Sequence, residues 1–176
     1  MKKLLKTIFK NGFMSVKSVK NNEFGKGEFV TFGRNTTSHG SIVVPVMKDG
    51  RVALTKEYRI GADDWVVGIP KGAADQQGES FESIAKRELE EEVGIEFESL
   101  MVTELNIFPL PAFAEFHGRV VFAKGCSVVA EPDLENGEAI ELYDLVTKEE
   151  LLNLLKTGGI NDAESAAALH HYLTFG

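Results

Sequence analysis

The chain has 176 residues, 43% of them hydrophobic and 26% charged, enough to bury about two thirds of its unfolded surface in one domain. That composition excludes a disulfide-stapled mini-protein, wholesale disorder and a membrane-embedded body. Nineteen Lys and Arg against 27 Asp and Glu leave a formal charge of -8. Such a balance argues against a broad nucleic-acid-binding surface but is compatible with a divalent cation that recruits a polyanion.

The opening MKKLLKTIFKNGF begins like a charged export signal, but Lys6 and Lys10 interrupt its apolar run and no small-residue cleavage site follows. No stretch approaches the roughly 20 apolar residues of a membrane span. Cys126 is the single cysteine, so neither an intramolecular disulfide nor a thiolate zinc cluster is expected. These features lead to the expectation of a cytoplasmic protein without membrane or nucleic-acid partners.

In chain order, FMSVKSV and EFVTFGR alternate around the polar NNEFGKG and predict a hairpin or small antiparallel sheet over residues 12 to 34. Lys2, Lys3, Lys6, Lys10, Lys17, Lys20 and Lys26 crowd this region, as solvated edge charges that discourage further strand pairing or as a weak anionic-partner surface. SIVVPVM, the turn Lys48-Asp49-Gly50 and RVALTKEYRI predict a second, more buried hairpin, and WVVGIPK a short strand broken by Gly68 and Pro70.

A helix is expected from Ser80 to Val93, with Ser80 as N-cap and Gly94 ending it in a left-handed conformation. Phe81, Ala85, Leu89 and Val93 form its core-facing ridge, adjoined by Ile84, Glu88 and Glu92. SLMVTELNIF, GRVVFAKG and AIELYDL read as strands. Thr147 with Glu150, and Asn161 with Glu164, have the spacing of capping boxes opening two C-terminal helices. The fold class is therefore α+β, a mixed β-sheet sandwiched between α-helices. A small antiparallel β segment over residues 1–40 precedes a main domain over residues 41–176.

Glu88 and Glu91 stand three residues apart, and Glu88 and Glu92 four, so their carboxylates share one patch of helix surface. Like charges at these spacings oppose helix formation unless a cation intervenes, and magnesium or manganese takes carboxylate oxygens and completes its shell with water and substrate phosphate. The plainer reading is a solvated acidic face.

The surrounding residues favour the cation. From Glu79 the run reads E-x7-R-E-U-x-E-E-x-G-U, U being apolar, with Glu79, Arg87, Glu88, Leu89, Glu91, Glu92, Gly94 and Ile95 in place. This resembles the Nudix box. HGSIVVPV, LTKEYRIGADDW, PKG, GES, RELEEEVG and NDAESAAALHHYL are similar in order and spacing to the branch of that family that hydrolyses ADP-linked compounds. One departure concerns the loop: the family pattern places glycine at position 73, where this chain has Ala73, with Gly72 one place earlier. A single-residue insertion in AADQQG accounts for it.

The resemblance implies a Nudix fold and a magnesium-dependent hydrolase, with manganese able to substitute, that cleaves the pyrophosphate of ADP-ribose, a diadenosine polyphosphate or NADH and releases AMP. It implies Glu88 and Glu92 as metal ligands and Glu91 as a further ligand or holder of a metal-bound water. A backbone carbonyl from Lys71, Gly72 or Ala73, with Gly72 the first candidate, completes the set the resemblance implies, with two or three magnesium ions acting during turnover. Glu79 and Arg87 pair to orient the loop against the helix.

The general base comes from a later loop, with Glu115 as candidate and Glu131, Glu135 and Glu138 as rivals. Arg59, supported by Glu57, is a candidate phosphate or ribose contact, Arg34 a weaker one, and Tyr58, Trp65, Phe113 and Phe116 are candidate adenine platforms. His39, His170 and His171 read as structural or surface residues. A homodimer, with the N-terminal segment helping to build the partner's pocket, also follows from the resemblance. The alternatives are hydrolysis of another nucleoside diphosphate sugar or a nucleoside triphosphate, or a non-catalytic nucleotide-sensing module.

Overall fold

The computed structural model describes residues 2–21, 23, 27–134 and 137–176; Lys26 and Glu135, named above, lie outside them. The first three strands, β1 (Lys2–Lys10), β2 (Met14–Asn21) and β3 (Glu28–Arg34), form their own antiparallel sheet in the order β1-β2-β3. The β2–β3 pair is the expected one, whereas β1 is a strand that the sequence pattern conceals. Its pairing with β2 shifts register between Leu4 and Lys6 and again between Thr7 and Phe9. Each bulge resets the period-two alternation by which a strand is recognised.

The second sheet contains β4 (His39–Met47), β5 (Val52–Arg59), β6 (Asp64–Gly68), β7 (Lys71–Ala73), β8 (Ile95–Glu96), β9 (Ser99–Ile107), β10 (His117–Val128) and β11 (Ile140–Val146). Its order is β11-β5-β4-β10-β8, with β6 on β5, β7 on β4 and β9 on β10. The turn between β4 and β5 forms as expected, closed by Met47 N–H donating to Arg51 C=O at 2.7 Å. The two strands then part: their register is the single pair Val46↔Val52, and β4 instead runs parallel to β10 from His39↔His117 onward. The start of β4 thereby has an edge available for β7, which pairs through Ser41↔Gly72.

Alternation in the central strands divides the core between the two faces of this sheet. Ile42, Val44, Leu54, Val120 and Phe122 pack with Leu151, Leu169 and Tyr172, whereas Val43, Ala53, Val121 and Ala123 pack with Ala85, Leu89 and Val93. The first set faces α2 (Lys148–Thr157) and α3 (Ala163–Phe175), the second α1 (Phe81–Val93). The sheet is thus sandwiched between helices. None of the described helices is long and apolar enough to cross a membrane.

Local signals settle the ends of α1 and α2. Ser80 accepts from Ser83 N–H, Gly94 takes the left-handed conformation at φ 60°, and Thr147 and Glu150 form the complete capping box. The start of α3 differs from expectation. Asp162, not Asn161, is its N-cap and accepts from Ser165 N–H. The Asn161 side chain is committed elsewhere, accepting from Val67 N–H of β6 at 2.8 Å, so Asn161 and Glu164 form no box.

Candidate active site

Helix α1 presents Glu88 and Glu92 from its inner flank, where they are only 7% and 6% exposed. A cleft of about 290 Å³ opens over them. Glu91 lines it beside them, together with Arg87, Asp75 and the β7 backbone; Glu57 and Arg59 enter from β5, Arg34 and Phe13 from the N-terminal sheet, and Glu138 from the segment before β11. The three helix carboxylates therefore share one wall, and two arginines from distant segments face the same space.

Burial dominates the electrostatics. It pushes the Glu88 carboxyl up to about 7, with Arg87 opposing and Glu91 adding to the rise. Burial, then Glu88 and Glu57, hold Glu92 well above the ordinary carboxylate range, while the N–H of Lys71, 3.2 Å from Glu92 Oε2, works the other way. Arg87 is the internal cation of the cluster: its Nη1 lies 2.7 Å from Glu88 Oε1 and 3.5 Å from Glu91 Oε2, and its Nε lies 3.6 Å from Glu79 Oε1. Glu79 also accepts from Asp75 N–H at 2.8 Å, which braces the intervening loop.

Both ends of that loop are held by three side chains at alternate positions leading into β4. Thr37 donates to Ala74 C=O at 2.6 Å, His39 Nε2 to Glu79 C=O at 2.9 Å, and Ser41 to Phe81 C=O at 2.8 Å.

Gly72 meets a tight steric requirement. A Cβ there would sit 2.0 Å from Glu88 Oε1, so only glycine lets the carboxylate approach β7. The Gly72 carbonyl oxygen turns toward β4, 2.1 Å from where a Cβ at position 40 would be. The Ala73 carbonyl turns toward the acidic side and accepts from Arg87 Nη2 at 2.8 Å.

The remaining sequence candidates are dispersed. Arg59 is in the cleft and paired with Glu57 at 2.6 Å. Tyr58 and Trp65 pack edge to face at 5.9 Å near the exposed β5–β6 turn, where the Tyr58 hydroxyl donates to Asp63 at 2.5 Å; neither lines the cleft. Glu115 lies in a different recess, with Lys2, Phe108 and His117. There it pairs with Lys2 and with Lys17 Nζ at 2.7 Å, and accepts from Thr31 at 2.8 Å.

Among the rival acids, Glu138 lines the cleft and Glu131 does not. Phe13 escaped sequence reasoning altogether. Its ring, stacked under the Arg34 guanidinium at 5.1 Å, belongs to a segment whose spacing signals only strand. Phe116 lines an adjoining cavity with Ser41, Lys71 and Glu164, and Glu164 had been noticed only as a capping residue.

A helix-flanked mixed sheet bearing the box glutamates along one wall of an arginine-lined cleft is the arrangement of a Nudix pyrophosphohydrolase; the NUDIX domain profile matches residues 37–169, and the chain belongs to the Nudix family. It is 33% identical over 131 residues to the ADP-ribose pyrophosphatase of Bacillus subtilis (strain 168), covering 73% of this chain and 69% of that one. It is 27% identical over 169 residues to the ADP compounds hydrolase NudE of Escherichia coli (strain K12), covering 94% and 87%. Identity to the methanol dehydrogenase activator of Bacillus methanolicus is 29% over 130 residues, covering 73% and 69%. A crystal structure of an ADP compounds hydrolase superposes with a TM-score of 0.74 at 24% identity over 98% of this chain and 91% of that one, a likeness of fold.

Proposed function

We propose that this protein is a magnesium-dependent hydrolase that cleaves the pyrophosphate linkage of ADP-linked compounds such as ADP-ribose, NADH or a diadenosine polyphosphate, with AMP as one product. The observation that carries the reading is the convergence of Glu88, Glu91 and Glu92 on one cleft that Arg34 and Arg59 also line. The names of the Bacillus subtilis and Escherichia coli relatives support the substrate class.

The donor set fits a hard divalent ion. It consists of carboxylate oxygens, two of them buried and left short of positive charge by the single guanidinium of Arg87. Among the described residues no three His, Cys, Asp or Glu side chains are grouped so as to hold an ion by themselves, so the ion's shell would have to be completed by water and substrate phosphate. Glu88, Glu91, Glu92 and the Ala73 carbonyl would hold magnesium, or manganese in its place. When bound, the ion supplies charge neutralisation at the diphosphate and lowers the pKa of a water.

The chain's own groups do the rest. Arg59 and Arg34 offer guanidinium donors to phosphate oxygens, and the Phe13 ring beneath Arg34 offers a face to the adenine. Lys71 N–H fixes the Glu92 carboxylate, and Arg87 ties the box loop to α1. We assign the role of general base to Glu138, the rival loop acid that lines the cleft, in preference to Glu115, which is paired with Lys2 and Lys17 in a different recess. The exposed N-terminal sheet pairs two copies of the chain in a homodimer.

The test is to incubate the protein and its Glu92→Gln variant with magnesium and ADP-ribose, NADH, diadenosine polyphosphates, nucleotide sugars and nucleoside triphosphates, and to resolve the products. AMP from the ADP-linked compounds, lost by orders of magnitude in the variant, is expected. Cleavage restricted to other diphosphates would overturn the substrate class, and binding without cleavage would overturn the enzyme.

A further inference from the structure

Beneath β7, on the side away from α1, lies a cavity of about 180 Å³ lined by Ser41, Ile42, Arg59, Lys71, Phe116 and Glu164 among others. It adjoins the acidic cleft, with which it shares Arg59, Lys71 and the Gly72–Ala73 backbone. At that volume it is smaller than the roughly 300–1,000 Å³ of a pocket for a whole ligand and has the size of a subsite for part of one.

Its polar end is unusual. The Glu164 side chain is 15% exposed, and its Oε2 lies 3.7 Å from Lys71 Nζ. Its Oε1 is buried with no hydrogen-bond partner. Lys71 is itself taken by Asp162, and Arg59 at the rim is taken by Glu57 at 2.6 Å. Two carboxylates thus stand against one ammonium, and one oxygen lacks the donor that a buried acceptor requires. The last torsion of a glutamate is broad, which allows the carboxylate to turn this oxygen into the cavity that its side chain lines. A phosphate would meet uncompensated negative charge there, whereas a neutral group with hydroxyl donors would satisfy the acceptor.

We infer that this cavity is the subsite for the half of the substrate distal to the adenylate, and that Glu164 is a specificity-determining residue that selects a neutral, hydroxyl-bearing sugar ring over a charged terminus. The inference rests on the proposed cleavage of ADP-linked compounds and extends it to the distal group. Phe116 supplies an apolar face for the ring, and Arg59 marks the boundary with the diphosphate.

Calorimetry with magnesium and two uncleavable ligands separates this inference from turnover. The ligands are α,β-methylene-ADP-ribose, which carries the distal sugar, and α,β-methylene-ADP, which ends in phosphate. The unaltered protein should bind the first about tenfold more tightly. Glu164→Ala should abolish the preference, weakening the sugar ligand by loss of the acceptor and tightening the phosphate ligand by loss of the charge, whereas Glu164→Gln, which keeps an acceptor of the same shape, should retain most of the sugar affinity and likewise bind the phosphate ligand more tightly.

Equal affinity of the unaltered protein for both ligands, or a preference unchanged in Glu164→Ala, would overturn the subsite. So would equal weakening of both ligands. A Glu164-dependent preference in a protein that cleaves no ADP-linked compound would uphold the subsite and overturn the reading of the reaction. Cleavage of ADP-ribose with no Glu164 dependence would do the reverse.

Discussion

Glu88 and Gly72 constrain each other, because the carboxylate lies where the side chain of any other residue at position 72 would begin. Gly72→Ala is therefore expected to displace Glu88 from the cleft and to lower kcat and metal affinity together while the fold persists, since β7 is a short edge segment of three residues. Activity assays across a magnesium titration, with circular dichroism as the control for folding, check this; unchanged magnesium dependence would count against the contact.

Glu115 provides a second test at the same scale. Burial opposes its charge, but hydrogen bonds from Lys17, Lys2 and Thr31 outweigh it and bring the carboxyl from 4.5 down to about 2. A depressed folded-state value contributes stability that is present above pH 4.5 and is lost as pH falls toward 2. The thermal midpoint of Glu115→Gln should accordingly lie below that of the unaltered protein at neutral pH, with the gap closing on acidification. A gap that stays constant down to pH 3 would show that the ion pairs are not its source.

At the scale of elements, α1 can hold Glu88, Glu91 and Glu92 against the cleft because its neighbours fix its entry and exit. Ser80 and Gly94 set its length, and the clamp of Thr37, His39 and Ser41 holds the loop that leads into it. The Thr37 and His39 contacts, at Ala74 and Glu79, fix the stretch between them, which leads Glu79 to Arg87. His39→Ala should lower kcat by about tenfold, in the range for residues that orient a metal-binding group, with KM little changed. His39→Gln, which keeps a donor of similar reach, should recover most of the loss. Equal losses in both variants would point to a packing role for the ring.

The α3 N-cap belongs to this scale too. Asp162→Ala removes both the cap and the partner of Lys71. It should cost more than the about 1 kcal/mol typical of a lost cap, measured by denaturant unfolding.

For the whole molecule, β1, the outer strand of the N-terminal sheet, is the strand without a covering layer. Every described residue of β1 is exposed, and Leu4, Leu5, Ile8, Phe9, Phe29 and Val30 present apolar surface. An uncovered edge strand of this kind is open to pairing with a second chain, so sedimentation at micromolar protein should show a dimer, and Ile8→Glu with Phe9→Glu should shift it to monomer. A sharp monomer for the unaltered chain would remove the pairing proposed above.

The sequence alone determined what depends on neighbours within about two helical turns. Helix α1, its caps, the convergence of Glu88, Glu91 and Glu92, the capping box of α2 and the run of buried strands were all legible there, because spacing along a helix or strand is itself geometry. Tertiary structure decided the rest. Bulges hid β1; the parallel pairing of β4 with β10 joins segments 78 positions apart at His39↔His117; and the contest between Asn161 and Asp162 for the α3 cap turned on whether β6 lay within reach. Phe13, Arg34, Arg59 and Glu138 meet the box glutamates only because two sheets and a loop are folded onto one cleft. A carboxylate's spacing can be read from the chain, but its desolvation and its partners arise only when distant backbone closes over it.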